Sequence, residues 1–451
     1  MNALMILLAI ITGAVFLMVL LAAPKWLALT LWPVIMVYPH AVTYGKMPMN
    51  VGIDDLYISL VFVVLTIRLG FPRFSFPLKA AIIFYFILLI SNLTGVLVAP
   101  TNITQRVLKE SIKSLVFIMF TWTMLISIRD EKDIQLHVMS FIISVTVASL
   151  IAVADHFGAL FAQLFYIVEE EKLHFRAYGP FLSPGGIGLT TMMPIFISFT
   201  GFAIIGKYFY KTLLMFGAGI IGTALFVSGS RSGWIGFSLG LLAMFVTTRR
   251  RIILFVAGCL VVVAAVYFLP AGAIERVVRI NIERTLYGIG AGTAGRLGRW
   301  LDYAKHPYLG MLLCGRGIIA SQALGFDTPH NGYLDIVFLF GLGGIIYFGV
   351  IMRRLFRLSR WLAKNDFDPL FSVLGQGIFI GMVGWLGVAV AADPPLNTFW
   401  RYSFFFTISL LWSRQEILQA MGMFVPYPSK HVHVRGELDE YSYEEGYLDY
   451  T

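Results

Sequence analysis

The stretch SGSRSGWIG (228–236) places a single arginine, Arg231, among small residues and between two long apolar runs. A guanidinium group presents a rigid fork of donors that suits the oxygens of phosphate groups. Ser230 or Ser232 could cap a following helix, whose N-terminus favours an anion. We therefore interpret the turn as a site for a phosphate-bearing ligand. The alternative is that Arg231 reaches the phosphates of membrane lipids, as arginines at the ends of membrane helices often do.

A second candidate is His330, which stands between Pro329 and Asn331 at the start of an apolar run. A neutral imidazole has an ordinary pKa of about 6.5 and is suited to accepting a proton from an attacking hydroxyl. The alternative is an interfacial histidine that only caps the start of a helix. Asn331 could orient the imidazole or cap the helix itself.

Further cations lie in the segments that separate the apolar runs. They are Arg176, Arg276, Arg279, Arg284, Arg296, Arg299, Lys305, Arg316 and Arg401, against the acids Glu275, Glu283, Asp302 and Asp327. A cluster of arginines of this kind indicates a polyanionic ligand, although each one could simply be solvated. These segments offer no paired carboxylates at the spacing of metal ligands, so we expect neither a metal ion nor another cofactor.

The composition shows what kind of protein must position these residues. Hydrophobic residues make up 58% of the chain, charged residues 13%, and the mean hydropathy is +0.80. A soluble domain carries about 25% charged residues. We therefore predict an all-α, polytopic integral membrane protein in which any chemistry lies in loops or between helices. The formal net charge of +9 has to be sorted by membrane side before it can suggest nucleic acid, which we do not expect as a partner.

Apolar runs long enough to cross a bilayer core predict about 12–13 transmembrane helices. They cover roughly 3–23, 26–40, 52–69, 79–98, 112–128, 134–155, 186–206, 210–228, 232–248, 252–269, 331–352, 370–391 and 400–418. Lys and Arg concentrate in TTRRR (247–251) and MRRLFRLSRWLAK (352–364), which predicts that both stretches are cytoplasmic. Counting outward from them places the Arg231 turn and one long loop, 270–329, on the outer face and the C-terminal tail inside.

Four stretches, in this order, resemble the superfamily of O-antigen ligases and O-antigen polymerases. They are FRAYGPFLSPGGIGL (175–189), SGSRSGWIG (228–236), AGRLGRWLDYAKHPYLGMLLCGRG (294–317) and HNGYLDI (330–336). The resemblance covers roughly residues 170–350, and the flanking spans match by topology only. Many members have an acidic residue shortly before the glycine pair of the last span. Here that region reads VFLFGLGG (337–344), and the nearest acid is Asp335.

The resemblance implies a GT-C-like glycosyltransferase in the bacterial cytoplasmic (inner) membrane, with its active site on the periplasmic face. Such enzymes move a glycan from a polyprenyl diphosphate to an acceptor hydroxyl. Arg231 would then cradle the diphosphate and His330 would be the general base. The substrate-binding residues that the resemblance implies are Arg296, Arg176, Arg299, Asn331 and Trp300. The acceptor stays open between lipid A core, another lipid-linked glycan and a protein; membrane lipids and other polysaccharide-assembly proteins are further expected partners.

We divide the chain into N-terminal membrane helices (1–169), a ligase-like catalytic core (170–352), C-terminal membrane helices (353–420) and a tail (421–451). The tail is acidic and rich in tyrosine, and its low hydrophobicity predicts disorder. The alternative function is a transporter or flippase of lipid-linked oligosaccharide. Transporters usually bury ionisable residues at mid-membrane and often contain broken helices. Charges in the middle of the predicted spans are nearly absent, and the charged residues lie at the outer boundary beside one long loop, which favours an enzyme.

Overall fold

The fold is that of a computed structural model. It describes residues 24–37, 53–98, 114–156, 179–181, 184–204, 208–248, 309–317, 331–390 and 398–424, with a few single residues between these ranges. The predicted span 3–23, most of the predicted span 252–269, most of the long loop 270–329 and the tail from residue 425 lie outside the described residues.

The described residues are helical apart from turns and one short 3-10 turn, Gly179–Phe181. The helices are α1 (Pro24–Leu29), α2 (Leu31–Val37), α3 (Ile53–Leu69), α4 (Phe76–Val98), α5 (Val116–Ser127), α6 (Glu131–His156), α7 (Pro184–Ile204), α8 (Tyr208–Val227), α9 (Arg231–Thr247), α10 (Leu309–Cys314), α11 (Gly332–Asn365), α12 (Pro369–Ala389) and α13 (Thr398–Ala420). Every predicted span other than 3–23 and 252–269 coincides with one of these helices or, at 26–40, with the pair α1 and α2.

Six of the helices are long and apolar enough to cross a membrane, namely α4, α6, α7, α8, α11 and α12. Shorter apolar helices accompany them at Lys25–Met36, Val116–Ser127 and Arg231–Thr247. This is the architecture of a polytopic helical membrane protein, as the composition predicts. The predicted total of 12–13 spans includes segments beyond the described residues and stays a prediction.

One boundary differs from the prediction. The stretch from residue 353, expected to be a loop up to 369, continues α11 as a helix as far as Asn365. This extension is amphipathic: Leu355, Leu358 and Leu362 are buried, whereas the arginines between them point outward. Such a pattern continues a helix past the apolar core, because one face still packs on the protein.

The helices define two ends of the bundle. At one end, which we call the Arg414 end, the buried Arg414 donates to Asp366 and Glu131. These bonds join α13 to α6 and to Asp366, the C-cap of α11. At the opposite end, which we call the Arg231 end, α9 and α11 begin and α12 finishes. Both ends are therefore fixed by contacts between segments that are distant in sequence.

Glycines bring α7, α9 and α12 close together. A Cβ at Gly236 of α9 would lie 2.6 Å from the carbonyl oxygen of Gly384 of α12, and a Cβ at Gly188 of α7 would lie 2.9 Å from the Cα of Gly233. Small residues allow this approach of backbones between membrane helices. The first turns of α7 and α9 are consequently held against each other at the Arg231 end.

Helix α11 is broken at Gly341, whose φ of 62° and ψ of −157° are not helical. The segment after α10 lies against this break. There, the backbone N–H of Arg316 donates to the carbonyl of Phe338 (3.0 Å) and that of Gly317 to the carbonyl of Leu339 (3.1 Å). A break within a membrane helix frees backbone carbonyls that need partners inside the protein. Residues 315–317 supply these partners.

Candidate functional site

Arg231 is the first residue of α9, and its side chain is exposed. Ser230 is the N-cap: its Oγ accepts from the backbone N–H of Gly233 at 3.1 Å and lies 3.1 Å from the Oγ of Ser232. Of the two serines that the sequence offered as caps, Ser230 takes the role. The helix that follows has 17 residues, so its dipole adds positive potential beside the guanidinium.

Two features fix the backbone of the turn before Arg231. Gly229 adopts a positive φ of 59°, and the buried Ser228 accepts a hydrogen bond from the backbone N–H of Ser230 at 3.2 Å. None of the ion pairs between described residues involves Arg231. A fixed backbone thus presents an exposed cation that no described carboxylate neutralises, and such an arrangement can bind an anion.

Asn331 caps α11 at the same end of the bundle. Its Oδ1 accepts from the backbone N–H groups of Tyr333 (3.1 Å) and Leu334 (3.2 Å), and its Nδ2 donates to the carbonyl of Val390 (3.1 Å). The prediction that Asn331 caps the helix is therefore confirmed, since its side-chain carbonyl accepts both of these hydrogen bonds. The second N–H of the amide makes no hydrogen bond to a described residue, which is compatible with the predicted role in binding substrate.

Tyr333 belongs to the same corner. Its hydroxyl donates to the carbonyl of Leu386 at 2.8 Å, while the residue as a whole is 44% exposed. A ring held by its hydroxyl and open on one side can stack on a sugar. Tyr333 and Asn331 together tie the start of α11 to the end of α12.

The other predicted site residues lie outside the described residues. They are His330, Arg176, Arg296, Arg299 and Trp300. His330 precedes Asn331 directly in sequence, so the chain reaches α11 at the Arg231 end immediately after the predicted base. The structure thus brings Arg231 and Asn331 to one end of the bundle and leaves the remaining assignments as predictions.

The sequence reasoning missed the burial of a group of charges: it did not name Asp54 and Asp55, and it placed Arg401 in a segment between apolar runs. Asp54 and Asp55 open α3 and are only 2% and 3% exposed, and Arg401 of α13 is 4% exposed. All three side chains lie within electrostatic range of the buried hydroxyl of Tyr402. The guanidinium of Arg401 also lies 5.3 Å from the ring centre of Phe117, a cation–π distance. Asp54, Asp55 and Arg401 therefore form one buried charged group, which we call the α3–α13 group.

Two further charges are enclosed near the break in α11. Arg316 is 2% exposed and Asp335 is fully buried. Arg316 follows Gly315, and a side chain at Gly315 would collide with the backbone of Leu339. The glycines on either side of Arg316 let its segment reach the break and carry a cation into the protein.

Sequence signals for these charges did exist. Two aspartates open an apolar run at 54–55, and CGRG (314–317) places an arginine between glycines. Ionisable residues within membrane helices are costly and commonly functional. Among the described residues, no group of three His, Cys, Asp or Glu side chains could hold a metal ion.

No model of a protein family matches the chain, and no curated protein matches it either. Its function has to be inferred from its own residues and their arrangement.

Proposed function

We propose that the protein is a membrane glycosyltransferase of the O-antigen ligase and polymerase type, with a GT-C-like arrangement of helices. It would move a glycan from a polyprenyl diphosphate to an acceptor hydroxyl. The observation that carries the proposal is the placement of Arg231, an exposed cation on a serine-capped helix start. This position lies at the same end of the bundle as Asn331, the residue after His330.

The chemistry requires a cation where charge develops. As the bond between the sugar and the diphosphate breaks, negative charge grows on the bridging oxygen, and the polyprenyl diphosphate leaves. Arg231 can donate hydrogen bonds to two phosphate oxygens at once, and the N-terminus of α9 adds its dipole. Fixed donors of this kind stabilise a transition state by several kcal/mol in order of magnitude when water is partly excluded.

The acceptor hydroxyl has to lose its proton as the new glycosidic bond forms. We assign this proton to the imidazole of His330, which starts neutral and ends as the imidazolium. The remaining amide N–H of Asn331 supports the assignment, because it can hold the acceptor or the imidazole in place. Arg176, Arg296, Arg299 and Trp300 complete the proposed binding site.

Charge distribution supports the proposed sidedness. The Arg414 end carries the basic extension of α11, and short basic segments favour the cytoplasmic side. The Arg231 end then faces the periplasm, where lipid-linked glycans await transfer. In this orientation the protein is an inner-membrane enzyme whose C-terminal tail is cytoplasmic.

The test is turnover by the purified protein. With polyprenyl-diphosphate-linked glycan and an acceptor present, we expect one polyprenyl diphosphate released for each glycosidic bond formed. Omitting the acceptor should stop the release. No release with any of the three acceptor classes, from folded protein in a bilayer, would contradict the proposal.

A transporter of lipid-linked oligosaccharide is the second candidate, and a specific observation favours it. The α3–α13 group, the buried Arg316 and Asp335, and the break at Gly341 are features that transporters share. The three residues of the α3–α13 group and Asp335 all lie in the first turns of their helices, so the expectation that mid-span charges are nearly absent still stands. Vesicles containing the protein decide between the two: a transporter moves labelled lipid-linked glycan across the bilayer and leaves the diphosphate bond intact.

A further inference from the structure

A groove of about 410 Å³ lies at the Arg414 end, between the extension of α11 and α12. Aromatic side chains line it, and basic side chains border it. The aromatic residues are Phe356, Trp361 and Phe379, and the basic residues are Arg357, Arg360 and Lys364. Such a combination binds acidic groups beside aromatic or apolar ones.

The three cations act together. Arg357, Arg360 and Lys364 are exposed and lie three or four residues apart, so they share one face of α11. None of the ion pairs between described residues uses them. The nearby Asp366 is already occupied by Arg414. The groove is therefore a region of positive potential that the described part of the chain does not neutralise.

The chain itself leads into this groove. After α13 ends at Ala420, the backbone N–H groups of Met423 and Phe424 donate to the carbonyl of Leu418 at 2.9 and 3.2 Å. This turn places the ring of Phe424 4.5 Å from that of Trp361, centre to centre. Residues from 425 onward consequently start at the wall of the groove.

The last part of the sequence, beyond the basic stretch 425–435, has the complementary charge. Segment 436–451, GELDEYSYEEGYLDYT, contains six acidic residues, no Lys or Arg, and four tyrosines. We propose that this acidic segment docks in the groove, with its carboxylates on Arg357, Arg360 and Lys364 and its tyrosines against the aromatic lining. The inference does not depend on the reaction proposed above.

Because the chain between Phe424 and residue 436 keeps the acidic segment near the groove, individually weak contacts are sufficient to hold the segment there. Residue 436 follows Phe424 by twelve positions, and a flexible chain of that length spans about 20 Å on average. A segment held at this distance has an effective concentration in the millimolar range. Exposed ion pairs that are individually weak can then hold it in place. Anionic lipid headgroups are the competing occupant, because they carry the same charge and face the same end.

The experiment uses the full-length protein with p-benzoylphenylalanine in place of Tyr443, irradiated in nanodiscs of neutral lipid. Cross-linked peptides are identified by mass spectrometry. We expect cross-links to the 352–365 stretch of α11, reduced about tenfold in the triple variant Arg357→Gln, Arg360→Gln and Lys364→Gln, because three charge pairs are lost together. The matched control, Arg68→Gln with Arg73→Gln, removes two exposed arginines elsewhere at this end and should leave the yield unchanged.

A second variant tests the other side of the contact. Replacing the six acids of 436–451 by Gln and Asn should abolish the same cross-links, as should about 0.5 M salt, which screens exposed charges. Cross-links that survive both variants would overturn the proposal. So would their disappearance in nanodiscs of anionic lipid, since lipid headgroups would then be the occupant of the groove.

Discussion

Asn331 donates its side-chain amide to the backbone carbonyl of Val390 across 3.1 Å, and the same side chain caps α11. One residue therefore holds the start of α11, where the predicted base His330 enters, against the end of α12. The relationship links the stability of the bundle to the geometry of the proposed site, and each part of it can be measured separately.

Replacing Asn331 by Ala removes the cap and the bond to Val390. We expect a loss of about 0.5–2 kcal/mol of stability, the usual cost of removing an N-cap, seen as a lower midpoint of thermal unfolding in detergent. Asn331→Ser keeps a capping oxygen but cannot reach Val390, so it should recover most of the stability. An Ala variant as stable as the parent protein would show that the cap contributes little.

Gly341 allows the break in α11. Gly341→Ala puts a Cβ at a positive φ, 2.5 Å from the backbone N of Gly315, so we expect at least about 2 kcal/mol of destabilisation. Gly343→Ala in the same helix is the matched control, because its Cβ would meet only the Ile87 side chain at 3.9 Å. The yield of monodisperse folded protein should fall for the first variant and hold for the second. Equal yields would mean that α11 can straighten at this position.

The position of Arg231 could be predicted, whereas the burial of Asp54, Asp55, Arg316 and Asp335 could not. A short serine-rich turn between two apolar runs leaves few conformations, and Ser230 caps α9 as local chemistry predicts. The break at Gly341 depends instead on Gly315, which arrives from a distant segment. Likewise, Asp54 stands at the end of a predicted span, and only the packing of α13 shows that it is buried. Local sequence patterns determine helix caps and apolar spans, whereas the packing of helices determines which charged side chains are buried.

Arg231→Lys keeps the charge but removes the two-pronged contact with a diphosphate. We expect glycan transfer to fall about tenfold or more at unchanged thermal stability, because the side chain is exposed. Arg68→Lys, an exposed arginine at the opposite end, serves as control. Wild-type transfer by the Arg231 variant would identify this arginine as a lipid anchor only.

The two ends of the bundle should face opposite sides of the membrane. A cysteine introduced at Ser321, in the long loop, should react in intact cells with a thiol reagent that cannot cross the membrane. A cysteine at Asn365, which is exposed at the Arg414 end, should react only after permeabilisation. Labelling of the parent protein, with its native Cys259 and Cys314, gives the baseline. The reverse pattern would place the proposed site in the cytoplasm.

The central claim is that the Arg231 end of the protein catalyses glycosyl transfer with His330 as the base. The rate of transfer by the purified His330→Gln variant tests this claim most directly. Glutamine has a similar reach and can donate a hydrogen bond, but it cannot accept the proton. We expect a loss of about 10²–10⁴-fold, as large as that of His330→Ala, with both variants folded. The wild-type rate should fall as the pH drops below about 6.5, where a free imidazole becomes protonated, and residual activity of the Gln variant should lack this limb. Strong activity of the Gln variant with the acidic limb retained would contradict the account.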